Sequence, residues 1–99
     1  MTRRAEIERA LRRLAPGIPN HEFGAVMDHA LHSRGLRSAR PETAAWPSLV
    51  AYVRHVLTEY DSLLAEGYSS ESARFFVAGE IEAILRRWGV RRELGKEEA

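Results

Sequence analysis

Apolar residues recur along this chain with helical spacing, and no segment shows the two-residue alternation of a strand. The clearest pattern lies between Trp46 and Gly67. There Leu49, Val50, Val53, Val56, Leu57, Tyr60, Leu63 and Leu64 form one apolar stripe. The spacing predicts a long amphipathic helix from Pro47 to Glu66, stopped by Gly67. Proline inside a continuous helix removes a hydrogen bond and clashes with the preceding turn, at about 3 kcal/mol. The reading therefore places a break at Trp46, after a short helical turn opened by Pro41, a residue suited to a first helical position.

Three further helices follow from the same pattern. Thr2 to Leu14 carries Ile7, Leu11 and Leu14 on a narrow stripe, with Thr2 as N-cap. Pro16, Gly17 and Pro19 end it. His21 to Ser33, capped by Asn20, turns Phe23, Val26, Met27, Ala30 and Leu31 to one face, and Gly35 terminates it. Glu71 to Trp88, capped by Ser69 or Ser70, gives Ala73, Phe76, Val77, Ile81, Ile84, Leu85 and Trp88 as its core face. Gly89 stops it, with Arg86, Arg87, Arg91 and Arg92 at the negative end of the helix dipole. The expected fold is all-α: a compact bundle of about four helices ending in an antiparallel hairpin, since only Gly67 to Ser70 join the last two. Residues 1–92 form a single domain and 93–99 a disordered charged tail, apolar anchors being absent after Leu94.

Composition narrows the class. Ninety-nine residues suffice for one core without staples, and 44% hydrophobic with 29% charged residues is ordinary for a soluble globular domain. The chain has no cysteine, which removes disulfides, thiolate metal sites and thiol nucleophiles, and is compatible with a reducing cytoplasm. No run reaches the ~20 apolar residues of a membrane span. The N-terminal stretch, charged but lacking a continuous apolar segment, is not a secretory signal. The expected location is cytoplasmic. Net charge is +1, so there is no global attraction to nucleic acid, yet Lys96 is the sole lysine and all other cations are arginine. Arginine forks suit phosphate and carboxylate; a GC-rich coding bias accounts for the same preference.

Candidate chemistry concentrates on the long helix. Arg54, Thr58 and Asp61 line up beside its stripe, and Arg74 on the next helix is placed to meet Asp61 across the hairpin. One reading is a structural clasp; the other is an anion or substrate pocket of Arg54, His55 and Arg74. His55 is a candidate acid, base or pH switch with Glu59 one turn away. Asp28, His29 and His32 have metal-like spacing but lack a third well-placed ligand, so no metal and no cofactor is expected. Arg3, Arg4, Arg12 and Arg13 near one terminus, with Arg86, Arg87, Arg91 and Arg92 near the other, make a basic face if the helices adjoin; Arg34, Arg37 and Arg40 form a third group. Interleaved Glu6, Glu8, Glu82 and Glu93 oppose a single-sign field. No helix-turn-helix spacing is present.

Ala44-Ala45-Trp46, Val53-Arg54-His55, Thr58-Glu59-Tyr60-Asp61, Leu63-Leu64-Ala65-Glu66-Gly67-Tyr68, Ser72-Ala73-Arg74-Phe75-Phe76-Val77 and Trp88-Gly89 carry a family resemblance. The chain resembles a family of uncharacterised bacterial proteins, a domain of unknown function in the twenty-two-hundreds of the DUF series. The resemblance spans Leu14 to Arg92 and is densest from Pro41 onward. It implies no activity, cofactor or partner. It marks Arg54, His55, Thr58, Tyr60, Asp61 and Arg74 as the motif. It also implies His at the position of Tyr52 and a non-proline at that of Pro47. The first departure removes a His pair with His55, and the second suggests a local bend.

The functional expectation is a small non-enzymatic interaction or regulatory module, with a protein partner or a second copy meeting a helix face. Phe75, off the main stripe of its helix, motivates it. The alternatives are nucleic-acid binding through Arg12, Arg13, Arg86 and Arg87, and a ligand or catalytic site around Arg54, His55 and Asp61.

Overall fold

The structure, a computed structural model, describes residues 2–36, 38–95 and 98. Arg37 of the expected basic loop, and Lys96, Glu97 and Ala99 of the expected tail, lie outside the described residues. Five α-helices follow one another: α1 (Arg3–Leu14), α2 (Asn20–His32), α3 (Pro41–Leu57), α4 (Tyr60–Ala65) and α5 (Ser70–Arg87). A single 3-10 turn, Arg34–Leu36, lies between α2 and α3. No strand occurs among the described residues, and none of the helices is long and apolar enough to cross a membrane.

Local chemistry accounts for most of the helix ends. The Thr2 hydroxyl accepts from the Ala5 N–H at 3.1 Å, and the Ser69 hydroxyl from the Ser72 N–H at 3.1 Å. Each satisfies an N–H that its helix leaves unpaired. The second helix departs from expectation. It begins at Asn20 itself, and Pro19 occupies the cap position without a side-chain bond. Gly67 and Gly89 take positive φ, 103° and 83°, to turn the chain out of α4 and α5.

Helix α3 is the centre of the fold. It packs against α1 and α2, which also touch each other, and against α4 and α5. Leu49 and Val53 are fully buried, with Ala44, Ala45, Trp46 and Val50 beside them. Around them gather Ile7 and Leu11 from α1, Phe23, Val26, Met27 and Ala30 from α2, and Ala73, Val77, Ile81, Ile84 and Leu85 from α5. The α1–α2 connection is tied to the far end of α5. The Gly17 N–H donates to the Trp88 carbonyl at 2.8 Å, and a Cβ on Gly89 would lie 3.0 Å from Pro16. At the start of α1, the Arg3 guanidinium donates to the Leu36 carbonyl at 2.7 Å and to that of Ala39. It thereby pins the loop before α3.

Two expectations about the long helix are corrected. Pro47 does not break it, because α3 runs through from Pro41 to Leu57. Pro47 is on an exposed face, as is Thr43, whose carbonyl it leaves without a helical donor. Water can therefore take that bond. The interruption falls instead at Thr58 and Glu59, where Thr58 is extended at φ −128°, ψ 173°. The predicted stripe is cut there, and Val56 and Leu64 end up 57% and 37% exposed. The first arm of the C-terminal hairpin is the short α4. A third correction concerns Phe76, expected in the core and found 60% exposed. At 3.6 residues per turn it stands about 100° around α5 from the buried side marked by Val77 and Trp88.

Replacing Pro47 with alanine should restore one helical hydrogen bond. A penalty of about 3 kcal/mol for interior proline, less about 1 kcal/mol for lost rigidity of the unfolded chain, leaves a gain of about 2 kcal/mol. A Pro47→Ala chain is expected to melt several degrees above the parent; an unchanged or lower Tm would show that the proline sits in α3 without strain.

Candidate functional site

The break between α3 and α4 builds the polar centre of the molecule. The Thr58 hydroxyl donates to the Arg54 carbonyl and accepts from the Tyr60 N–H at 3.2 Å. It therefore serves groups exposed by the interruption. Chain reversal then carries Asp61 back over the last turn of α3. The His55 Nδ1–H donates to Asp61 Oδ1 at 2.7 Å, and the Tyr60 ring meets the imidazole edge-on at 5.2 Å. Arg54 lies over the other ring system, its guanidinium carbon 5.4 Å from the Tyr60 centroid, and its Nη1 donates to the Glu98 carbonyl at 3.2 Å.

The motif residues are thus brought together, but not as the clasp that spacing suggests. Asp61 pairs with His55; among the described residues no ion pair joins it to Arg74. His55 and Asp61 are six positions apart in sequence, and only the break lets them meet. Arg74, half-buried at the start of α5, approaches Arg54 instead. Burial lowers the Arg54 pKa first, the Arg74 cation adds to this, and Tyr60 and Asp61 act in the opposite sense. The Arg74 Nε is buried without a hydrogen-bond partner among the described residues.

Chemically, the His55–Asp61 pair orients an imidazole, with side chains 45% and 61% exposed. A nucleophile for it to activate would have to be close. The Thr58 hydroxyl of the motif is committed to backbone on both sides. Of the three α2 residues with metal-like spacing, two stay together. His32 pairs with Asp28 on the exposed side, whereas His29 comes under the influence of His55. Among the described residues no group of three or more His, Asp or Glu side chains is placed to hold a metal ion.

With this geometry in view, similarity to known sequences places the chain. A family of uncharacterised conserved proteins, DUF2293, matches residues 10–89. The chain belongs to that family. No curated protein and no solved structure matches it. The match runs from α1 to the Gly89 turn and so takes in the α3–α4 break, the arginine pair and the whole of α5.

The fold of this DUF2293 member also assembles features that spacing does not reveal, some of them beyond the matched residues. Glu22, buried on α2, accepts from the Tyr52 hydroxyl at 3.1 Å, and burial followed by that bond raises the Tyr52 pKa. The Arg92 guanidinium covers the Trp46 ring at 4.5 Å, and Trp46 Nε1–H donates to the Glu98 carboxylate at 2.6 Å. The Gly95 N–H, Trp46 and Arg92 together hold that carboxyl below its ordinary value. Leu94 packs against the core. On the outer side of α5, Tyr68, Phe76 and Phe75 form a run of edge-to-face contacts, Tyr68 to Phe76 at 5.6 Å and Phe76 to Phe75 at 6.0 Å. Phe75 is 80% exposed. An open groove of about 950 Å³ lies along these phenylalanines, bounded by Arg74, Glu82, Leu94 and Gly95. Phe75 was legible as off-stripe; its pairing with Phe76 and Tyr68 was not.

Burial, reinforced by the neighbouring His55, lowers the His29 pKa. The unfolded chain therefore takes up the proton first as pH falls, and folding stability declines below the ordinary imidazole value near 6.5. A His29→Gln chain lacks that contribution. Its stability, followed by urea unfolding, should fall less than the parent's between pH 7.5 and 5; parallel profiles would exclude the coupling.

Proposed function

We propose that this DUF2293 protein is a cytoplasmic, non-enzymatic interaction module whose contact surface is the aromatic strip Tyr68–Phe76–Phe75. The observation that carries the proposal is the exposure of two adjacent phenylalanines, 80% and 60%, on a well-formed helix. Neither is needed to fill the core, because α5 already buries Ala73, Val77, Ile81, Ile84 and Leu85 on its other side. Apolar surface of this kind lowers its free energy by leaving water, which in a folded chain requires a partner. The His55–Asp61 pair then serves to hold the α3–α4 corner, beside which α5 displays the strip.

A second reading, nucleic-acid binding, draws support from the Gly17–Trp88 bond. It brings the last turns of α1 and α5 to one end of the molecule, and with them Arg12, Arg13, Arg86 and Arg87. Part of that charge is already engaged. Arg12 pairs with Glu8 at 3.6 Å and covers the Phe23 ring at 4.1 Å. The contact-surface reading is preferred for this reason.

Phe75→Ser with Phe76→Ser should leave folding stability within about 1 kcal/mol, because both rings are exposed and Phe and Ser have similar helix propensities. In size-exclusion chromatography of extract from cells producing the tagged chain, the parent is expected in a larger complex and the double variant outside it. Identical elution of the two would overturn the proposal. For the second reading, retention on DNA that falls steeply with salt and is lost in Arg12→Glu with Arg13→Glu would support it; salt-independent or absent retention would remove it.

A further inference from the structure

Helix α5 has two faces, and the outer one carries more than its phenylalanines. Opposite the buried Val77 and Trp88 lie Ser72, Phe75, Gly79, Ala83 and Arg86, all exposed. Gly79 is the unexpected member. Glycine in the middle of a helix costs about 1 kcal/mol relative to alanine. A Cβ on Gly79 would meet nothing within 4 Å, so the isolated chain gives no packing reason for its absence. A missing side chain on an outer helical face permits close approach of another backbone. Gly24 on α2 is similarly open, but its neighbours one turn away on either side, Asn20 and Asp28, are polar and exposed. Of these two helical glycines, Gly79 is the one that adjoins exposed aromatic surface.

Charge then identifies the occupant. Glu71 lies at the start of α5 and Arg87 at its end, both exposed and neither in an ion pair among the described residues. They are equidistant from Gly79, as are Phe75 and Ala83. An antiparallel copy of the same helix, crossing at Gly79 at about 50° so that the i, i+4 rows of the two copies align, sets Glu71 beside the second copy's Arg87 at both ends. It also sets each Phe75 over the second copy's Ala83. The two charge contacts stand about 24 Å apart along the axis, at 1.5 Å per residue. A two-fold contact of this kind is self-complementary, with every interaction made twice.

We propose that the partner of the aromatic strip is a second copy of this chain, docked antiparallel through α5 with Gly79 at the crossing point. This rests on the reading of the strip as a contact surface and adds its occupant and register.

Sedimentation equilibrium of the purified full-length chain over a range of micromolar concentrations tests it. The expected result is a reversible dimer lost in Phe75→Ser. Gly79→Leu should retain or raise the Tm, since leucine is the better helix former and meets open space, while weakening dimerisation roughly tenfold or more. Glu71→Arg or Arg87→Glu alone should weaken it by a few-fold at low salt, and the two together should restore it. Circular dichroism melts establish that each variant is folded. A purified monomer overturns the inference, as does a dimer indifferent to Gly79→Leu. In either case the chromatography of cell extract still decides separately whether the aromatic strip is a contact surface for some other protein.

Discussion

The fold depends on the burial of α3 from more than one side. Leu49 and Val53 lose all contact with solvent only because α1 and α2 close over the helix while α5 does so as well. A helix so placed cannot continue indefinitely, since the chain must turn to supply α5. The turn occurs at Thr58, whose hydroxyl serves the Arg54 carbonyl and the Tyr60 N–H. One threonine thus lets the core helix end next to the core without leaving these backbone groups unsatisfied.

The polar cluster follows from that interruption. On an unbroken helix Asp61 would lie nearly two turns beyond His55; with the chain bent at Thr58 the two meet at 2.7 Å. Arg54 and Arg74 are drawn together by the same bend, and their mutual repulsion is moderated by Tyr60 and Asp61. The cluster is a junction between α3, α4 and α5, linked by Arg54 to Glu98. Its arrangement suits a corner whose geometry must be kept, and α5 is the element that this corner positions.

Helix α5 carries conflicting instructions until its surroundings are known. One side has the apolar spacing of a core helix and is buried accordingly. The other displays Phe75, Phe76 and the open Gly79. A core can absorb only as much apolar surface as its partners cover, and α3 and α4 cover one side. The remaining apolar surface stays in water. Similarity to known sequences leads only to uncharacterised relatives, so the physical character of that face carries the functional argument.

Local pattern was sufficient wherever one residue's immediate neighbours decide the outcome. The caps at Thr2 and Ser69, the positive-φ glycines at 67 and 89, and the core positions Ile7, Leu11, Val53, Val77 and Ile81 were all legible. So was the all-helical class. Pro47 and Phe76 were misread because competing long-range packing settles them. The cost of a proline at an exposed helical position is outweighed by burying Trp46, Leu49 and Val50 on one continuous α3, and Phe76 is left outside because no helix covers its angle on α5. The sequence by itself determined which segments are helical and which residues are chemically capable. Tertiary structure decided where the long helix bends, that Asp61 meets His55 instead of Arg74, and which apolar side chains remain in water, because those outcomes depend on contacts between residues far apart in the chain.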